Sequence, residues 1–279
     1  MISNRTVEKL HAAARHVDEV LGTHPQVSSV LVFGSAASGY ADEHSDVDMF
    51  VVCNSEILSV KERKQLLSQV GVNWHFDASK NRSDLFPAID ESGRVGEVTV
   101  EVHYQIDTWI SEVLDAVLEE GVITTAKLRF RPYTLPALLQ RALVLRDKGG
   151  LVKRWCDRSS VFPEKLKVNI LQYFGPILQD NLDEIKLDSK RKLGPGVFLF
   201  HLNQAVDALT GILLALNEVY DPADRRAEKT ILPTLKYVPK DFMNRFTRIL
   251  EGPFDDAGAF ERVNLFEELT AEAFKLAGV

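Results

Sequence analysis

Residues Val30 to Val52 read VLVFGSAASGYADEHSDVDMFVV. An apolar run rich in valine ends at Gly34-Ser35, ten residues follow, and a second apolar run opens with Asp46 and Asp48. Both runs have the composition of buried strands. Side chains on a strand alternate between faces, so Asp46 and Asp48 are expected on one face about 7 Å apart, with Val47 and Met49 on the other. Two carboxylates so placed suit Mg2+, which keeps several waters and shares its shell with substrate phosphates. Gly34 lets the backbone approach a phosphate, and Ser35 adds a hydroxyl beside exposed N–H groups. A nucleoside triphosphate with metal is the ligand this pattern implies. Gly34 to Gly39 also has the outer spacing of a P-loop, but Tyr40 and Ala41 follow where that loop needs Lys and Ser or Thr.

Outward from this stretch, Val7, Leu10, Ala14, Val17 and Leu21 recur at helical spacing and predict a helix over Thr6 to Leu21, stopped by Gly22. A helix is expected over Ile57 to Val70, then an irregular region with Trp74, His75 and a turn near Ser92 and Gly93. Val98, Val100 and Val102 alternate with Thr99, Glu101 and His103, so Glu101 and His103 share a strand face. Ile110 to Leu118 reads as a helix and Ala142 to Arg146 as a last short strand. Beyond Ser160 the pattern is helical, with helices expected over Pro163 to Leu182, Gly196 to Asn217, Lys240 to Glu251 and Gly258 to Leu276. The fold class is therefore α/β (α+β): a mixed sheet with flanking helices over residues 1–158, followed by an all-helical bundle domain over 159–279.

Gly-Ser closing one strand and Ser45-Asp46-Val47-Asp48 opening the next resembles the signature of the DNA polymerase β-type nucleotidyltransferase superfamily. The resemblance implies that Asp46 and Asp48 bind Mg2+, two ions in all, and that Gly34, Ser35 and Ser45 lie against the nucleotide. It also implies a third carboxylate on a neighbouring strand, with Glu101 the first candidate and Glu97 the second. In aminoglycoside adenylyltransferases a Glu there looks like the general base, and in polymerase-like members an Asp there binds metal; both roles stay open for Glu101. The reaction implied is transfer of a nucleoside monophosphate, AMP from ATP in the first instance, with release of pyrophosphate.

The helical half resembles the HEPN-like domains appended to such transferases, including the aminoglycoside and lincosamide enzymes. Along Gly196 to Asn217, Asn203, Asp207, Thr210 and Asn217 form a polar stripe within roughly 80°, either a solvated face or one turned to the acceptor with Tyr220 and His103. Arg225, Arg226 and Lys229 follow, and Lys229 is the candidate to reach the triphosphate. His75 and His201 are expected as hydrogen-bonded structural residues.

Composition bounds the acceptor. The chain has 279 residues, 45% hydrophobic, with 33 Lys and Arg against 40 Asp and Glu for a net charge of −7. A basic track for an extended nucleic acid is not present, so a small hydroxylated molecule, such as a cationic antibiotic, is the expected acceptor, with a protein hydroxyl the other class. An antitoxin-like or regulatory protein that modifies or binds a protein partner is the alternative function. A glycosyltransferase, whose Asp-x-Asp also binds a metal, is disfavoured by the Gly34-Ser35 turn. Two cysteines, and no uninterrupted 18-residue apolar run or leader, point to a cytoplasmic protein without a membrane span.

Overall fold

A computed structural model describes residues 4–78, 86–125, 130–223, 226–253 and 255–278. The chain divides into two compact units, residues 1–118 with 124–161, and residues 119–123 with 162–279.

In the first unit the elements run α1 (Asn4–Leu21), β1 (Val27–Val32), α2 (Gly34–Ser38), β2 (Val47–Cys53), α3 (Val60–Leu67), β3 (Val72–His75), β4 (Ile89–Val95), β5 (Val98–Ile106), α4 (Asp107–Leu118), α5 (Thr134–Arg141), β6 (Leu143–Asp147) and α6 (Leu151–Arg158). The six strands form one mixed sheet in the order β3-β4-β5-β2-β1-β6. Only β2 and β5 pair in parallel; the other neighbours are antiparallel. The apolar stripe of α1 covers one face, where Leu10, Ala14, Val17 and Leu21 pack with Val30, Val32, Met49, Val51, Val100 and Val102. On the opposite face Phe33, Phe50, Phe86 and Trp109 form a chain of ring contacts, tilted, edge-on and stacked in turn, at centroid distances of 5.4, 5.0 and 5.7 Å. Arg146 of β6 clamps Asp18 of α1 with two bonds of 2.8 and 2.9 Å, tying the edge strand to the covering helix.

Several expectations are corrected. Ser92 and Gly93 lie inside β4, not in a turn; the Trp74 ring occupies the space a side chain at Gly93 would need, within 2.3 Å of its Cβ position. The turn is instead Gly96-Glu97, between the paired Val95 and Val98, with Gly96 at φ 61° as a two-residue hairpin requires. The small residues after Phe33 coil into α2 rather than an open turn, and α3 is shorter than the apolar pattern indicated because Ser59 and Glu62 cap it reciprocally. Helices α5 and α6 had no counterpart in the sequence reading.

The described elements of the second unit are helices joined by loops, with α7 (Glu164–Arg191), α8 (Pro195–Leu216), α9 (Ala227–Thr230), α10 (Phe242–Glu251) and α11 (Asp256–Ala277). Lys192 and Gly194, both at positive φ, carry the chain from α7 into α8. Gly211 lets α8 settle on Phe174 of α7, whose ring is 3.1 Å from where a Cβ would stand. Arg262 of α11 is buried; its Nε donates to the Ile249 carbonyl at 2.6 Å and its guanidinium lies 4.9 Å from the Phe198 ring centre. Helix α8 is long and apolar enough to cross a membrane although polar residues interrupt it, and half of that stretch is buried.

Candidate active site

The parallel register of β2 and β5 sets Asp48 beside Glu101, and the antiparallel register of β5 and β4 sets His103 beside Asp90. Alternation puts the four side chains on the aromatic face of the sheet, with Phe50 buried next along β2. Each of Asp48, Glu101 and His103 offers a ligand atom within 4.8 Å of those of the other two. Beside them Gly34 opens α2, two residues past the end of β1. The Phe33 N–H donates to the Asp48 carbonyl at 2.8 Å, and the Asp48 Oδ2 lies 2.5 Å from where a Gly34 Cβ would stand. Glycine is thus required at 34 twice over, by this approach and by its φ of 63°. His11 of α1 holds the following helix through its Nε2, 2.8 Å from the Ala36 carbonyl.

Burial and then the charge of Asp48 raise the Glu101 carboxyl above the usual carboxylate range, Asp46 and Asp90 adding to the effect and His103 opposing it. For His103 burial works against the charged ring, but the Asp90 carboxylate, with Asp48 and Glu101, outweighs it and raises the imidazole. Two carboxylates and an imidazole, Asp48, Glu101 and His103, with ligand atoms within 4.8 Å of one another are a donor set that fits a divalent cation.

The other expected residues take varied places. β2 begins at Val47, so Asp46 precedes the ladder and lies outside the cluster of three. With Ser45, Arg5, Lys9 and Thr99 it lines an open cleft of about 610 Å3. The Ser45 hydroxyl is engaged with Asp42, accepting its N–H at 2.9 Å. Glu97 sits exposed at the hairpin turn, 2.5 Å from Lys9, which holds its carboxyl below the usual range; Glu101 is the carboxylate beside Asp48.

In the helical unit Asn203, Asp207 and Lys229 are exposed. Asn217 caps α8 and pins the next loop, accepting the N–H groups of Lys236 and Tyr237 at 2.7 and 2.8 Å. Tyr220 is buried against Phe162 at 4.7 Å, its phenol pushed up to about 12 by burial, so its ring packs inside the unit instead of lining an open face. His201 is hydrogen-bonded to buried Asp188 at 2.7 Å, as a structural histidine should be. Arg225 lies outside the described residues. Asp90 is the site residue that sequence reading missed; only the β4–β5 register reveals it.

Residues 15–85 match the family model described as polymerase beta, nucleotidyltransferase. The match takes in Gly34, Ser35, Asp46 and Asp48 and stops short of Glu101 and His103. No curated protein matches the chain. Among solved structures, a nucleotidyltransferase-like protein from Exiguobacterium sibiricum 255-15 is 11% identical over 95% of this chain and 77% of its own, with a TM-score of 0.44. A cytoplasmic RNA terminal U-transferase is 14% identical over 50% of this chain and 40% of its own, with a TM-score of 0.26. Cid1 in complex with a UTP analog is 12% identical over 50% and 39%, with a TM-score of 0.24.

Proposed function

We propose, from the premise that this chain carries a polymerase β-type nucleotidyltransferase domain, that it transfers a nucleoside monophosphate from a triphosphate, ATP first, to a hydroxyl of a small molecule. The observation that carries this reading is the seating of Asp48 between the Gly34 turn and Glu101.

In this reading Asp46, Asp48 and Glu101 hold Mg2+ and the Gly34-Ser35 turn receives the β- and γ-phosphates. A bound cation supplies charge neutralisation at the triphosphate oxygens and at the leaving pyrophosphate. Glu101, set beside Asp48 by the strand register, would take the acceptor hydroxyl's proton. The acceptor oxygen then bonds to the α-phosphorus as the bridge to the β-phosphate breaks. A net charge of −7 and a cleft of mixed charge support a compact acceptor over an extended nucleic acid.

Thermal unfolding with each nucleoside triphosphate plus Mg2+, on the wild type and Asp48→Ala, tests the donor site, since a ligand of the native state raises its stability. A metal-dependent rise that favours one nucleotide and vanishes in the variant is expected. Pyrophosphate release is then measured against a panel of hydroxylated small molecules. Label from the α-phosphate appearing on a protein would instead favour the protein-directed reading.

A further inference from the structure

We infer that His103 is a further protein ligand of the cation held at Asp48 and Glu101, and that it turns the site toward a first-row transition dication, Mn2+, over Mg2+. The inference rests on the reading that Asp48 and Glu101 hold a cation at all. Three observations carry it. A ring nitrogen of His103 lies within 4.8 Å of a carboxylate oxygen of each of those residues. The ring is well covered, its side chain 19% exposed, so its place on β5 is set by packing and register rather than by solvent. On its other flank stands Asp90, paired with His103 across β4 and β5, with its Oδ1 3.2 Å from Nδ1.

That last arrangement is how metal-binding histidines are prepared. An outer carboxylate accepts the N–H of one ring nitrogen, fixes the tautomer and the ring plane, and leaves the lone pair of the other nitrogen for the metal. With Asp90 3.2 Å from Nδ1, the nitrogen that would face a metal is Nε2. The register could have placed any residue at 90 and 103, and it placed an Asp–His pair next to two carboxylates. An all-oxygen shell matches Mg2+, whereas an imidazole among carboxylates suits the softer transition dications; Mn2+ is the member that also accepts oxygen ligands readily.

The test uses Mn2+ alone with the full chain. Loss of the aqueous Mn2+ signal in electron paramagnetic resonance gives its affinity, and displacement by Mg2+ gives the preference. Measured on the wild type, His103→Gln, Asp90→Asn and Asp48→Ala, the expected result is about tenfold or greater weakening of Mn2+ in His103→Gln and a smaller loss in Asp90→Asn. Mg2+ affinity should change little in either. Pulsed resonance on the wild type should show coupling of Mn2+ to a protein nitrogen, a readout that does not depend on any variant folding. Unchanged Mn2+ binding in His103→Gln, or no nitrogen coupling, with binding lost in Asp48→Ala, overturns the inference and leaves the carboxylate site standing. Wild-type binding in Asp48→Ala overturns the carboxylate reading itself.

Discussion

The carboxylate of Asp48 fills the space that a side chain at Gly34 would need: Oδ2 stands 2.5 Å from the missing Cβ. The segment that follows β1 thus meets the start of β2, and the glycine that opens α2 is also the seat of the aspartate near the start of β2. Gly34→Ala should therefore displace Asp48 as well as strain the backbone at φ 63°. We expect a stability cost of about 1 kcal/mol or more and about tenfold weaker metal binding. A metal titration on the folded variant checks this; wild-type affinity would show that the turn does not position Asp48.

Glu101 and Asp48 should separate in their effects. Glu101→Gln keeps the shape and one neutral oxygen toward the cation but removes the base, so triphosphate-dependent stabilisation should weaken only partly while pyrophosphate release falls by about 100-fold. Asp48→Asn should lose both. Equal loss of nucleotide binding in the two variants would make Glu101 a metal ligand first.

Glu91 gives the first unit a dependence on pH. It is 1% exposed beneath the sheet, 3.1 Å from Arg63, and burial, outweighing the pull of Arg63, pushes its carboxyl up to about 7. The folded state therefore binds this proton more tightly than the unfolded chain, whose value is 4.5. The contribution is full below 4.5 and is lost as pH rises through about 7, with a span of roughly 3 kcal/mol. Denaturant unfolding of wild type and Glu91→Gln between pH 4 and 8 should show this loss flattened in the variant; identical profiles would mean that Glu91 stays ionised on Arg63.

Asn217 distinguishes a structural from an acceptor role for the polar residues of α8. Its amide joins the helix end to the Lys236-Tyr237 segment. Asn217→Ala should cost about 1–3 kcal/mol and leave nucleotide binding unchanged. An unaltered stability with altered acceptor kinetics would reverse the assignment.

How far the sequence could be read depended on how local each signal was. The two strands around Gly34, the helix α1 and the long helices beyond Ser160 rest on periodicity within a short window, and all were legible. Gly93 misled because a glycine inside a strand looks like a turn until Trp74, nineteen positions earlier, is seen covering it. The choice between Glu101 and Glu97 rested on alternation, and the sheet separates them: one faces Asp48, the other sits on a turn with Lys9. Tyr220 next to a polar stripe suggested a functional ring, but Phe162 buries it.

The sequence by itself determined the strand–turn–strand unit, the spacing of Asp46 and Asp48 and the split into a sheet half and a helical half, because these follow from local periodicity and from residues adjacent in the chain. Tertiary structure alone decided which distant side chains stand together. Whether β5 lies parallel to β2 with Glu101 opposite Asp48, and whether Asp90 reaches His103, depends on strand register. A slip of one residue would turn every one of these groups to the other face, and that choice is made by packing across the whole sheet and not by any segment of it.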